Sequence, residues 1–505
     1  MRTVLTLFFS AFLSVCAAFA QQLPSDEYAY KIKQEAFSNS QMESHAAFMT
    51  DFMGPRLTSS KQWERAETLT VEMLKEMGFS NVRAEYATDF TRGGWDNLKT
   101  YAAMTVPYYT NFMATPRAWT GSTNGLVKGE VILLDIQSDA DFDKFRGKIG
   151  GKIILMPSTQ QYQMSFEPLA TRYTDEQLET LAQDPRPAAA RPRVMTTGND
   201  LRLKIQNFIR EEKPAVILNS SGTFNVSRLS GSGYTSGEPE PIAELYLAIE
   251  AHARMQRLIE KKIPVEMEVE IKNEFNKNLV VNNIIAEIPG TDPKLKDEIV
   301  LIGGHYDSWH GGTGAADNAS GCMVMLEALR ILKDVGVQPR RTIRLALWGG
   351  EEQGLHGSRG YMQNNLYDSQ ARKPKAGFDK FTIYLNMDNG SGKFRGIYLE
   401  ENDMAVPFFK VWMQPLESLG FTTLSLRKTG STDHVTFDRI GLPAYQFIQD
   451  PLEYGRGYHT SMDTYERLSF TDLKYNAAVA AWIAFCASMD NGRIPVKPIA
   501  TQAGR

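Results

Sequence analysis

E-I-V-L-I-G-G-H-Y-D-S-W-H-G-G-T-G-A-A-D-N-A-S-G-C, residues 298–322, runs an apolar stretch into a histidine and delivers a further carboxylate soon afterwards. Ile299, Val300, Leu301 and Ile302 read as a short buried strand closed by Gly303 and Gly304. His305 ends it, and Asp307, two residues on, faces the same way in extended backbone. Glycines at 311, 312 and 314 precede Asp317 and let the backbone approach an ion closely. Asn318, Ala319 and Ser320 then open a helix through Met323 to Leu332. Open α/β sheets bind ligands in the crevice beyond the carboxyl ends of their strands, so this junction is a place for chemistry. A lone histidine is more often a satisfied polar group than a ligand, and a loop aspartate is usually a cap. The stretch gains weight because two more strands end in acids.

Thr342 to Trp348 is the next apolar strand, and it leads into G-G-E-E-Q-G-L-H-G-S with Glu351 and Glu352 side by side. Adjacent residues point apart, so one carboxylate can hold a metal while the other faces a substrate as general base. Thr382 to Met387 ends at Asp388-Asn389-Gly390, and Gly457-Tyr458-His459 lies in a loop before the C-terminal helix. His305, Asp317, Asp388, His459 and one of the two glutamates make a set of nitrogen and oxygen ligands with one carboxylate left over. Zinc accepts such sets, and two zinc ions about 3.5–4 Å apart need one carboxylate to bridge them.

Length and composition set the frame. The chain has 505 residues, enough for more than one domain, with 23% charged residues, 42% apolar residues and a net charge of −4. That balance gives no sign of a nucleic-acid surface. Residues 1–20 hold Arg2, the apolar run Val4 to Phe19 and Ala18-Phe19-Ala20, the layout of a secretory signal peptide cleaved near Ala20. This predicts a secreted or periplasmic protein with no stable membrane span after cleavage. Cys322 and Cys486 sit in apolar helical contexts where a buried inert thiol is the default, with a disulfide between them as the alternative.

Along the chain, residues 24–50 form a helical lead-in, Leu57 to Phe79 an amphipathic helix and Val82 to Tyr86 an edge strand. From 120 to 272 the texture changes to short strands at Val131–Leu134, Ile153–Met156 and Ala215–Leu218, with a Pro/Ala/Arg-rich loop at 184–193. This region reads as a smaller, mainly β domain inserted between residues 21–119 and 273–490 of a doubly wound, three-layer α/β/α domain. Residues 491–505 read as a loose tail.

Five ordered motifs carry a resemblance: H-Y-D-S (305–308), A-A-D-N-A-S-G (315–321), G-E-E-Q-G-L-H-G-S (350–358), N-M-D-N (386–389) and Y-H-T-x-x-D-T (458–464). With G-P-R-L-T-S-S (54–60) and N-I-I-A-E-I-P-G-T-D-P (283–293), the chain resembles metallopeptidase family 28 over most of residues 40–490. The resemblance implies a zinc-dependent exopeptidase acting on peptides, an aminopeptidase first, with a carboxypeptidase or dipeptidase as variants. It implies two Zn(2+) ions per chain, one held by His305, Asp317 and Asp388 and the other by Asp317, Glu352 and His459, with Asp317 bridging. Glu351 would be the general base, Asp307 the carboxylate that orients His305, and Tyr458 a hydrogen-bond donor to the oxyanion. The peptide bond after Asp317 would be cis.

The 120–272 region resembles a protease-associated domain through K-I-G-G-K-I-I-L-M (148–156) and K-P-A-V-I-L (213–218). G-S-T-D-H-V-T-F (430–437) resembles a segment that lines the substrate pocket, which makes Asp433 and His434 either substrate contacts or parts of a structural network. His310 and His356 read as loop histidines, and His45 and His252 as chemically silent. A single-zinc glutaminyl cyclase and a receptor-like binding protein on the same scaffold are the competing readings. The motifs leave open which end of a peptide is cut, and they are silent on oligomeric state.

Overall fold

The computed structural model describes residues 24–183, 199–224 and 226–497. The leader read at residues 1–20 and the Pro/Ala/Arg-rich loop at 184–193 lie outside them.

The element opened by Glu298 sits near the centre of an eight-stranded sheet. Ile299–His305 pairs in parallel with Thr342–Trp348 on one side and with Phe381–Asn386 on the other, and Ala444–Gln449 continues the parallel run. Val280–Ile288 and Ser80–Asp89 add antiparallel strands at one edge, and Phe394–Tyr398 with Thr423–Ser425 complete the other. The register sets His305 beside Trp348 and Gly303 beside Asn386, so three parallel strands end level with one another.

Both faces of this sheet are covered, which is why its strands read as nearly unbroken apolar runs. Val300, Ile302, Leu345 and Leu385 point to one face and pack with helices Ser320–Asp334 and Phe470–Met489. Leu301, Ala346, Trp348 and Tyr384 point to the other, against Tyr361 and Phe437 of helices His356–Tyr361 and His434–Asp438. The result is a mixed α/β fold in three layers. Gly321 is what lets the Ser320 helix begin against the sheet, since a Cβ there would sit 2.3 Å from the Met387 carbonyl oxygen.

A second eight-stranded sheet has its own core of Met104, Val131, Leu155, Leu218, Leu245 and Met267. Its strands run from Gly94 to Asn276, whereas the sequence pattern sets the change of texture at 120. The physical reason is one long antiparallel ribbon, Gly94–Val106 on Glu266–Asn276, whose first strand precedes the change in composition. Its middle strands, Val127–Leu133, Ile153–Leu155 and Val216–Ser220, are parallel and are accompanied by helices Asn199–Glu212 and Ile249–Glu260, so the unit is α/β rather than mainly β.

The read of a loose tail fails at its start. Residues 491–497 pack back: Ile494 is buried, the Lys497 amide donates to the Gly441 carbonyl at 2.9 Å, and Arg341 donates to the Gly492 carbonyl at 3.2 Å. Cys322 and Cys486 are both free and buried, so the disulfide alternative falls. No helix among the described residues is long and apolar enough to cross a membrane.

Candidate metal centre

Four chain segments meet at the level ends of the parallel strands. His305 is the last residue of its strand, Glu351 and Glu352 follow Trp348 after two glycines, and Asp388 follows Asn386 by two residues. Asp317 sits just before the Ser320 helix, and its peptide bond to Asn318 is cis. The Asn318 amide group donates to the Met387 carbonyl at 2.8 Å and accepts from the Gly321 amide at 3.0 Å, which ties the Asp317 turn to the strand that ends in Asp388. His459 arrives on a loop that the second sheet unit supports. Leu229 donates its amide to the His459 carbonyl at 2.9 Å, and Ser461 donates to the Ser227 carbonyl at 3.0 Å.

Asp317 stands in the middle. Its Oδ1 lies 3.2 Å from His305 Nε2, and its Oδ2 lies 3.2 Å from His459 Nε2. Asp388 Oδ1 is 3.4 Å from the same His305 nitrogen, and Glu352 Oε2 is 2.8 Å from the same His459 nitrogen. Two triads result, His305 with Asp317 and Asp388, and Asp317 with Glu352 and His459, each with ligand atoms within 4.8 Å of one another.

The electrostatics of this cluster call for a cation. Glu352 Oε1 is buried without a hydrogen-bond partner among the described residues, which is costly unless something else meets it. Burial pushes the Glu352 carboxyl up to about 8, with the Asp317 charge adding to it. Burial also opposes ionisation of Asp317, but the two imidazoles outweigh it and hold that carboxyl low. Glu351 is raised well above the usual carboxylate range, by burial first, and its carboxylate neighbours add to the effect. A divalent ion held there would supply the missing positive charge, and nitrogen and oxygen donors without sulfur fit zinc.

The surrounding residues differ in part from their expected roles. His305 Nδ1 lies 3.0 Å from the Asp307 main-chain carbonyl and 3.6 Å from its carboxylate, so the carbonyl is what orients the ring. The Asp307 carboxylate instead accepts the amides of Glu351 at 3.0 Å and Glu352 at 3.2 Å, fixing the loop that carries both glutamates. Asp463, within the Y-H-T-x-x-D-T motif, accepts the amides of Ala316 at 2.6 Å and Asp317 at 3.0 Å, a role that the motif alone does not reveal. Arg56, in the upstream G-P-R-L-T-S-S segment, is fully buried and donates to five main-chain carbonyls, among them Tyr306, Thr313 and Gly314. An arginine written into a motif with no acid beside it signals such a role only weakly.

The centre opens into a cleft of about 530 Å³ lined by Asp317, Glu351, Glu352, Asp388 and His459 together with residues of several other segments. Tyr458 lines it too, 42% exposed, with its ring stacked on His459 at 3.7 Å. Asp433 and His434 do not line it: both are fully buried, and His434 Nε2 lies 3.0 Å from Thr429 Oγ1 and 3.3 Å from Glu400. The preceding residues, Thr429 to Thr432, form the wall, because the helix starting at His434 turns its first residues into the core. His310 and His252 are buried and bonded to the carbonyls of Pro116 and Met156, and His45 pairs with Glu327 at 3.2 Å, so none joins the centre.

Residues 283–484 match the model of Peptidase family M28. Carboxypeptidase Q of Rattus norvegicus is 25% identical over 443 residues, covering 86% of this chain and 83% of that protein. Among solved structures, a Peptidase M28 precursor from Shewanella amazonensis SB2B superposes with a TM-score of 0.66 at 23% identity, over 94% of this chain and 98% of that one. A zinc aminopeptidase from Bacillus subtilis superposes with a TM-score of 0.53 at 20% identity, over 90% and 98%. At these identities the two structures share the fold.

Proposed function

Residues 283–484 are a peptidase family M28 domain, and from that premise we propose that the protein is a zinc-dependent exopeptidase that hydrolyses peptide bonds with a co-catalytic metal pair. The observation that carries the reading is the position of Asp317, with one carboxylate oxygen turned to each of two histidines. His305, Asp317 and Asp388 would hold one zinc, and Asp317, Glu352 and His459 the other, with Asp317 shared. Zinc bound there supplies a Lewis acid for the scissile carbonyl and a water acidified toward neutrality.

The rest is work for side chains. Glu351 is in the cleft, is not needed as a ligand, and is held on its loop by Asp307. It takes the proton of the attacking water as the new carbon–oxygen bond forms, then returns it to the nitrogen as the carbon–nitrogen bond breaks. Its raised proton affinity suits both halves of that task. The Tyr458 hydroxyl, a phenol that stays protonated at neutral pH, is the donor for the developing oxyanion. The leader-like residues 1–20 support export as the setting, and the 94–276 unit is read as the protease-associated insertion.

Glu351→Gln is the test. It should keep bound zinc while kcat on short peptides falls about 10²- to 10⁴-fold, the range for a lost general base. Hydrolysis surviving at near wild-type rate would remove Glu351 from that role.

A further inference from the structure

We propose that Arg427 is a specificity-determining anchor for a carboxylate of the peptide substrate, its C-terminal carboxylate in the first place. The proposal deepens the peptidase reading above and rests on it. Arg427 lines the same cleft as the metal centre and is the one Lys or Arg among the described residues that do so. Its guanidinium has no ion pair and no hydrogen bond to any described residue. The carboxylates that line the cleft with it are Asp317, Glu351, Glu352 and Asp388, all of them taken up by the metal centre or the general base.

Other cations near this wall are neutralised. Arg172 and Arg395 both pair with Asp450, at 2.8 and 3.1 Å, and Lys428 pairs with Asp438 at 2.9 Å. The chain on both sides of Arg427 is fixed as well. Its amide donates to Ser425 Oγ at 3.2 Å, the Ser425 hydroxyl donates to the Leu181 carbonyl at 2.6 Å, and the Thr429 amide and hydroxyl both donate to the buried Glu400. A half-buried guanidinium on a pinned loop, with its own fork of donors unmet, is built to receive a planar anion in two parallel hydrogen bonds. Tyr173 and Leu181, brought in by the second unit, share that wall. They add apolar surface to the cleft, and a charge pair partly withdrawn from water is stronger than one in open solvent.

A peptide offers this chemistry at its C-terminus or on Asp and Glu side chains, and three substrates tell these apart: a short neutral peptide, the same peptide amidated at its C-terminus, and an amidated peptide carrying a glutamate. The zinc-loaded full chain and its Arg427→Gln and Arg427→Lys variants are compared by kcat/KM. The wild type should favour the free acid over the amide, and Arg427→Gln should shrink that ratio about 10- to 100-fold, chiefly through KM, with Arg427→Lys in between. A ratio that collapses only for the glutamate peptide assigns the anchor to side chains. Acid and amide cut equally well by the wild type, or a ratio unmoved by Arg427→Gln, overturns the anchor while leaving the peptidase intact. A zinc-loaded wild type that cuts none of the three overturns both.

Discussion

At the scale of single residues, the geometry of the centre depends as much on groups that hold the loops as on the histidines and carboxylates of the two triads. Asp463 accepts two successive amides at the Asp317 turn and so fixes the carboxylate that both triads share. Burial raises its carboxyl to about 7, with Asp317 adding to the effect and the two amides opposing it. Asp463→Asn keeps the shape and replaces one acceptor oxygen by a donor, which one of the amides must then face. Zinc affinity should fall about 10- to 100-fold, the range for lost outer-shell partners, with the fold retained; zinc titration against a competing chelator, alongside circular dichroism, reads both. An unchanged affinity would leave Asp463 a plain structural turn. Of the candidate ligands, His305, Glu352 and Asp388 are legible in the sequence because they follow apolar strands, whereas Asp317 and His459 lie in glycine-flanked loops and are marked by their motifs. Asp463 and Arg56 lie within motifs yet carry no role readable from sequence, since their partners are main-chain groups that leave no mark on composition.

At the scale of elements, the Ser320 helix is the piece whose seating decides the site, since Asp317 opens it and Asn318 ties it to the Asp388 strand end. Its outer half is clamped by Glu327. That carboxylate accepts from the Gln41 amide at 2.9 Å and from Arg330 at 2.8 Å, and meets His45 at 3.2 Å. Burial alone would raise the Glu327 carboxyl, but His45 and Arg330 outweigh it and hold it at about 2 against an ordinary 4.5. A carboxylate with a depressed folded-state pKa adds stability above its unfolded value and loses it as pH falls through the folded one. The clamp is therefore whole above about pH 4.5 and gone near pH 2, a difference of about 3 kcal/mol at 1.36 kcal/mol per unit. Glu327→Gln should lower stability by about that amount at pH 7 and flatten the acid limb between pH 4.5 and 2 in denaturant titrations. An acid limb identical to wild type would show that Glu327 is not the group that titrates. The strands and helices of this half were readable from periodicity. His45 looks chemically silent in the sequence, and its buried pairing with Glu327, 282 positions away, is the kind of contact no local pattern records.

At the scale of the whole molecule, the two sheet units are joined where function needs them. The second unit supports the His459 loop through Ser227 and Leu229, and supplies Tyr173 and Leu181 to the cleft. Its existence was legible from the change in texture after residue 120. Its first strand was not, because Gly94–Val106 carries no compositional break and is defined by pairing with a segment some 170 residues later. For the same reason Asp433 and His434 were open between two roles: the motif put them near the pocket, and only the turn into the core at residue 434 sends them behind its wall.

The claim on which the account turns is that one aspartate joins two metal ions. Zinc counted per chain by native mass spectrometry, for the wild type and for Asp317→Asn, tests it most directly. Two zinc ions in the wild type, and at most one in the variant with hydrolysis abolished, is the predicted result. One zinc in the wild type, as the single-zinc cyclase reading requires, or two retained in Asp317→Asn, would contradict it.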